Sequence, residues 1–415
     1  MIVRQFLLWA RRAAPGDRAE AVTALANAFM YSDLSVEDRG EAETALTAML
    51  DDGSLLVRRA MAEALCGSSK APHHLMVALA GDALDVASIV LARSPVLSDG
   101  DLVDAAALGE EPMQDAIAGR RSVSVGVAAA LSEVASASSL VTLARNPGAQ
   151  ITATSLARIV ERHGDDPDVR EALLSRPDLP IHIAQSIAAA LAQSLGRFVT
   201  GCGWLSPERS GRATHEACER ATVALASRAD RGSATRLVEH LRVSGQLTPI
   251  LLLRSMLSRN MAFAEAAFAD LSELALRRAS AILHDGRSRS FRALYDRAGL
   301  PAALFPIFEA VRGAAFETGT ADDENPHAIL SRRVVARALA ACEEMPMEEA
   351  GRFVALLRRF EVEAARDEAR LAADGLAQQA ALAMVRSRAV ALAIAGPTQV
   401  EPHLVTADPG QRFAA

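Results

Sequence analysis

Apolar residues recur along most of this chain at the three- and four-residue spacing of amphipathic helices. Residues 17–30 place Val22, Leu25, Ala26 and Phe29 on one face, and Asp17 is positioned to cap that helix. Ser35, followed by Glu37 and Asp38, reads as an N-cap before an acidic first turn and predicts a helix over about 36–50. Asp51-Asp52-Gly53-Ser54 breaks the pattern. The stretch 55–66 then aligns Leu56, Ala60 and Ala64 beside Val57, Met61 and Leu65. The same period predicts helices at about 73–80, 84–93, 98–107, 111–118, 122–134, 137–145, 149–162, 167–174 and 179–195. Further helices are expected at about 212–230, 233–243, 248–257, 260–284, 288–298, 301–317, 326–344 and 347–394. In the last, Phe353, Leu357, Phe360 and Ala364 share one side until the heptad fails at Asp367. No segment alternates as a strand would, so the fold class expected is all-α.

A second pattern overlies the first. Leu91-Ala-Arg-Ser-Pro95, Leu143-Ala-Arg-Asn-Pro147 and Leu173-Leu-Ser-Arg-Pro177 each close one apolar stretch and precede another, with a degenerate copy at Ile117-Ala-Gly-Arg-Arg121. Proline is tolerated in the first turn of a helix, where its missing N–H has no intrahelical role, so Pro95, Pro147 and Pro177 are expected there. Equivalent positions recur every 26 to 30 residues or so, which predicts a HEAT-like α-solenoid of short helix pairs followed by a second all-helical region. The expected organisation is a repeat region at 1–200, a Gly/Pro-containing junction at 201–211, a helical region at 212–395 and a disordered tail at 396–415.

Tyr31-Ser-Asp-Leu34, Leu50-Asp-Asp52 before Val57-Arg-Arg-Ala60, Ser94-Pro-Val-Leu97 and Arg176-Pro-Asp-Leu-Pro180 resemble the alphaproteobacterial proteins grouped as domain of unknown function 2336. The resemblance runs over most of the chain. It implies a HEAT-like helical fold in a cytoplasmic bacterial protein and carries over no catalytic residue.

Composition narrows the function classes. Half of the 415 residues are hydrophobic but aromatics make up only 4%, so the core must be built from Leu, Val, Ile and Ala. A net charge of -7 argues against general nucleic-acid binding, which needs a clustered positive field. Lys70 is the only lysine. The arginine excess invites a phosphate-binding reading, but codon usage in a GC-rich genome is the simpler account. Cys66, Cys202, Cys218 and Cys342 form no Cys-x-x-Cys pair, which points to a reducing compartment and to neither zinc nor a disulfide framework. The apolar run from Met1 to Trp9 is interrupted by Arg4 and followed by Arg11-Arg12, too short for a membrane span and lacking a cleavage site.

Candidate chemistry is sparse. His163-Gly-Asp165-Asp166-Pro-Asp168 gathers an imidazole and three carboxylates, yet Gly164 ending one helix and Asp166 or Asp168 capping the next explains them more simply. His73-His74 lacks the spacing of two ligands on one helix face. Cys202 has no activating base nearby in the sequence, and Trp204 is expected to be buried at the junction. No catalytic, cofactor-binding or metal-binding residue is therefore expected, and the protein reads as a non-enzyme without a cofactor. One charge cluster stands out. Over 277–297, Arg277, Arg278, Arg287, Arg289, Arg292 and Arg297 face only Asp285 and Asp296, with Phe291 and Tyr295 available for stacking. The leading expectation is a cytoplasmic scaffold or adaptor whose helical surface binds a protein partner of acidic character. The alternatives are nucleic-acid binding along an Arg-lined concave face that adds Arg332, Arg333 and Arg337, and an enzyme with a pocket around His163 or His215 and paired carboxylates.

Overall fold

A computed structural model of the protein describes residues 2–317, 330–343 and 347–395. The expected disordered tail at 396–415 lies outside them. Among the described residues the regular elements are helices: α1 (Ile2–Ala10), α2 (Pro15–Tyr31), α3 (Val36–Ala48), α4 (Leu55–Leu65), α5 (His73–Ala80), α6 (Leu84–Arg93), α7 (Asp99–Leu108), α8 (Glu111–Ala118), α9 (Val125–Val134), α10 (Ala137–Arg145), α11 (Ala153–His163), α12 (Pro167–Leu174), α13 (Ile181–Gly201), α14 (Pro207–Ala226), α15 (Arg231–Val243), α16 (Pro249–Leu257), α17 (Met261–Ser272), α18 (Leu276–His284), α19 (Ser288–Arg297), α20 (Phe305–Glu317), α21 (Arg332–Glu343) and α22 (Met347–Ala395). One isolated parallel bridge joins Val123 to Ala149, and no strand is present among those residues. Two compact units divide the chain, Met1–Ser255 with Asn260–Ala281 and Met256–Arg259 with Ile282–Ala415.

In the first unit a helix packs on the helix two places further along. α2 packs on α4, and the row continues through α6, α8, α10 and α12. A parallel series runs from α7 through α9, α11, α13 and α15 to α17. Between the rows a continuous core from Ala10 to Ile187 is filled by Leu, Val, Ile, Met and Ala, with Phe29 the one buried ring in that cluster. Each short helix buries too little alone to repay its nucleation, so burial against neighbours on both sides is what stabilises it. Helix starts follow the polar pattern: Ser35, Ser98, Ser124, Ser136, Thr152 and Asp166 each accept a backbone N–H as N-caps. Asp17 lies instead in the first turn of α2, whose N-cap is Ala14 and whose first residue is Pro15.

The three motif prolines require a correction. Pro95, Pro147 and Pro177 stand in the turns after α6, α10 and α12, several residues before the next helix begins. Their contexts are equivalent, but they end helices rather than open them. A proline excludes the helical conformation from the residue before it, and Ser94 (ψ 120°) and Asn146 (ψ 113°) are extended accordingly.

In three of the four motif copies the residue at the fourth place then reaches back to the preceding turn, whereas the Ser94 hydroxyl accepts from Val96 N–H in its own turn. Arg120 donates to the carbonyls of Leu91 and Ser94, Asn146 to those of Ala118 and Arg120 (2.8 and 2.7 Å), and Arg176 to those of Ala144, Asn146 and Ala149 (3.1, 3.3 and 3.4 Å). Arg162 does the same for Ser132 and Ala135 at the end of α9. The last carbonyls of a helix have no intrahelical donor, and a cation there also meets the negative end of the helix dipole. Burial pulls the Arg120 guanidinium below its usual range, since these carbonyls provide no full countercharge. Adjacent turns also meet through backbone. Val123 N–H donates to Gly148 O, Gln150 N–H donates to Val123 O, and a Cβ at Gly148 would lie 2.0 Å from the Arg121 carbonyl.

The stretch 201–211, expected as a junction between regions, lies inside the first unit as the turn between α13 and α14 and the opening of α14. The predicted helix at 260–284 is two helices. Glu273 takes a left-handed φ of 53° and ends α17, a stop that no glycine or proline announces in the sequence.

The second unit is organised around rings. Phe291, Tyr295, Phe305 and Phe308 pack with centroids 5.3–6.2 Å apart, and the Tyr295 hydroxyl donates to the Pro301 carbonyl at 2.8 Å. α20 packs on α21 and α21 on α22. Along α22, Leu357, Phe360 and Ala364 are buried, and from Ala365 to Met384 no side chain is, so burial stops where the heptad was expected to fail.

Candidate functional site

The arginine-rich segment divides between the units. Arg277 and Arg278 are exposed on the part of α18 belonging to the first unit; Arg287, Arg289, Arg292 and Arg297 are exposed in the second. Arg277, Arg278 and Arg289 have no ion pair among the described residues. Arg292 chelates Asp296 at 2.9 Å and lies 4.5 Å from the Phe305 ring centroid, while Arg287 stands 3.9 Å from Asp285. Phe291 and Tyr295 are not available for stacking on a partner: both are fully buried in the aromatic core. Their spacing of four residues on α19 places them on its inward face, opposite the exposed Arg289. Burial pushes the Tyr295 phenol far above its ordinary range.

A second constellation lies along the α13–α14 hairpin. Gly196 lets the two helices approach closely, because a Cβ there would lie 2.5 Å from Thr214 Oγ1, and Ser210 Oγ donates to the Gly196 carbonyl at 2.9 Å. Beside this seam runs an open cleft of about 940 Å³ that includes His215, Cys218 and Glu219 in its wall. His215 Nε2 lies 3.3 Å from Glu219 Oε1, which also accepts from Thr248 Oγ1 at 3.2 Å, and Arg254 Nε stands 3.7 Å from Glu219 Oε2. Glu219 and Arg254 are both buried. A buried carboxylate opposite a buried guanidinium is a neutralised pair, and Glu219 is the one carboxylate among the residues lining the cleft, so the paired carboxylates expected beside His215 are not brought together there. Burial raises the Cys218 thiol, which works against a thiolate nucleophile. Sequence reasoning named His215 but missed Glu219 and Arg254; the four-residue step from His215 to Glu219 was the available signal.

The remaining candidates have structural partners. Asp166 caps α12 by accepting from Asp168 and Val169 N–H, Asp165 pairs with Arg197 at 2.8 Å, and Gly164 ends α11 in a right-handed conformation. Burial and neighbouring Arg162 pull His163 below the ordinary imidazole range. His73 Nε2 is 2.8 Å from Asp101, and His74 Nε2 is 3.1 Å from Thr47 Oγ1. Between α13 and α15, His182 and His240 hold their rings 5.8 Å apart; burial lowers both, and in His182 the facing His240 adds to it. Trp204, expected to be buried, is 69% exposed, with its ring edge-on to that of Phe198. The turn it occupies has every residue from Gly201 to Arg209 exposed.

Among the described residues no helix is long and apolar enough to cross a membrane. No curated protein and no solved structure matches the chain. A family model described as an uncharacterised protein conserved in bacteria, domain of unknown function 2336, matches residues 86–348, from within α6 to the start of α22. Ser94–Leu97 and Arg176–Pro180 fall inside that span, whereas Tyr31–Leu34 and Leu50–Ala60 precede it. With well over half its length matched across the repeat turns, the arginine ladder and the α13–α14 hairpin, the chain belongs to the domain of unknown function 2336 family.

Proposed function

We propose that the protein is a non-enzymatic scaffold or adaptor, a HEAT-like α-solenoid in its first unit, that offers helical surface to an acidic protein partner in a reducing cytoplasm. The stacking of helices two apart, with short turns tied to the preceding repeat, supports the solenoid reading. Four free cysteines support the compartment.

The single observation that carries the functional reading is how the arginines are used. In the first unit Arg18, Arg58, Arg120, Arg162 and Arg176 are consumed by internal carbonyls and carboxylates. On α19 of the second unit, Arg289 is exposed without an ion pair among the described residues, between Arg287 and Arg292 whose carboxylates are themselves exposed or nearly so. Arg277 and Arg278 form a separate unpaired couple. Cationic side chains that stabilise nothing internally, in a chain of net charge -7, suit charge-guided docking.

The test is affinity capture from the native organism with wild type and an Arg287→Glu/Arg289→Glu variant, which leaves Arg292 on Asp296 and Phe305, read by mass spectrometry at low and high salt. Loss of an acidic partner from a variant that keeps its helical signal and melting temperature is the expected result. Unchanged capture by the folded variant would overturn the reading.

A further inference from the structure

The chain has two tryptophans, and the structure leaves both in water: Trp9 is 43% exposed at the end of α1, and Trp204 is 69% exposed at the α13–α14 turn. Each belongs to the first unit and stands beside another ring, although Phe6, unlike Phe198, packs partly against the core. Trp9 stands 6.1 Å from the Phe6 ring beside Leu8, which is 65% exposed. Trp204 stands 5.8 Å from the Phe198 ring, on a face where Leu195 and Phe198 are 55% and 58% exposed. An aromatic pair with an exposed leucine, twice over, is costly to hydrate unless something covers it.

Local charge identifies the cover. Arg11 and Arg12 follow α1, exposed and without an ion pair among the described residues, and no acidic residue precedes Asp17. Around the hairpin turn, Arg209 and Arg212 are likewise exposed and unpaired among those residues, against the lone Glu208. Each tryptophan is therefore followed closely along the chain by two exposed arginines, in a chain of net charge -7. Repulsion from the rest of the molecule is screened beyond about 8 Å, so at contact the arginines decide the sign. The hairpin presents Phe198 and Trp204 on an exposed turn, backed by the close Gly196–Thr214 seam and outside the wall of the neighbouring cleft. Exposed Trp, Phe and Leu with flanking arginines match the interfacial layer of a bilayer, where indole sits at headgroup depth and anionic phosphates meet the cations.

We infer that the first unit binds anionic phospholipid bilayers peripherally, inserting Trp204 with Phe198 at the α13–α14 turn and Trp9 at α1. Each such contact by itself gives weak, reversible attachment. Nothing in this inference depends on the acidic-partner surface of the second unit.

The two tryptophans are also the probe. Full-length protein is mixed with vesicles of equal parts phosphatidylglycerol and phosphatidylcholine, or of phosphatidylcholine alone, and co-flotation and tryptophan emission are recorded. The expected result is co-flotation and a blue-shifted emission, quenched by lipids brominated in their acyl chains, with the anionic vesicles only, weakened at high salt. In the single-reporter variants Trp9→Phe and Trp204→Phe, the remaining tryptophan is quenched in each. Trp204→Ala lowers the partition coefficient by about tenfold or more, as expected for withdrawing one large ring from the interface. Wild-type emission and flotation unchanged by anionic vesicles would overturn the inference whole, and quenching confined to Trp204 would overturn the role of α1. Equal binding to phosphatidylcholine alone would overturn the assignment of the arginines.

Discussion

The first unit holds short helices together with small aliphatic side chains and with Arg or Asn donors that reach the carbonyl ends of the preceding repeat. The second packs Phe291, Tyr295, Phe305 and Phe308 against one another and stacks Arg292 and Arg312 on the rings. Arginine is weighted differently in the two. In the first Arg120, Arg162 and Arg176 complete backbone hydrogen bonding at helix ends, so their loss strands carbonyls; in the second Arg292 and Arg312 lie over rings, although Arg312 also donates to the Asp285 carbonyl at 2.7 Å.

The largest effect should come from the rings. Phe308→Ala removes a fully buried side chain and should destabilise by about 4 kcal/mol, with lost hydrogen-exchange protection centred on α19 and α20. Arg176→Ala should cost about 3 kcal/mol, because three carbonyls lose a charged donor whose side chain is 8% exposed, and protection should fall around α10 and α12 instead. If Arg176→Ala costs no more than a surface change, the ladder does not stabilise the first unit and the contrast between the units fails. Gly148→Ala, which forces a Cβ toward the Arg121 carbonyl, should cost about 2 kcal/mol by urea titration.

Acid response sharpens the comparison further. His182 and His240 are held below the ordinary imidazole range. The unfolded chain would protonate them near pH 6.5, so their contribution is complete above that value and is lost as pH falls from it toward the depressed folded values. His240→Gln should flatten the urea midpoint of the first unit between about pH 7 and pH 5. Asp52 and Asp82 are held low by hydrogen bonds from Arg18 and Arg58; their contribution is complete above about pH 3.9 and is lost only below it. Smallest of all, Arg289→Glu should change stability by no more than about 0.5 kcal/mol, since the side chain is exposed and unpaired among the described residues.

The same contrast decides what could be read in advance. Helices α2 to α13 were legible because each carries its own apolar period, reinforced at α3, α7, α9, α10, α11 and α12 by a Ser, Thr or Asp cap, and the recurring turn stood out because Ser94, Arg120, Asn146 and Arg176 return at near-constant spacing. The prolines were assigned to the wrong side of the turn: their restriction of the preceding residue outweighed their tolerance at a helix start. Phe291 and Tyr295 looked like free rings because the residues that bury them, Phe305 and Phe308, follow after an irregular connection with no repeat to reveal it. Trp204 failed in the opposite direction, since Gly201, Gly203 and Pro207 mark a turn equally well between units or at an exposed tip. The Glu219–Arg254 pair, 35 residues apart, depends on how α14 and α16 pack, which no local spacing encodes.

The ladder also has a direction. Every rung is drawn from a later repeat to an earlier one, from Arg120 back to Leu91, from Asn146 back to Ala118 and from Arg176 back to Ala144. During synthesis, then, the closing carbonyls of α6, α8 and α10 stay with water until the donor about one turn further along has emerged and the chain has folded back on it. Each of these helix ends is locked one turn behind its own translation.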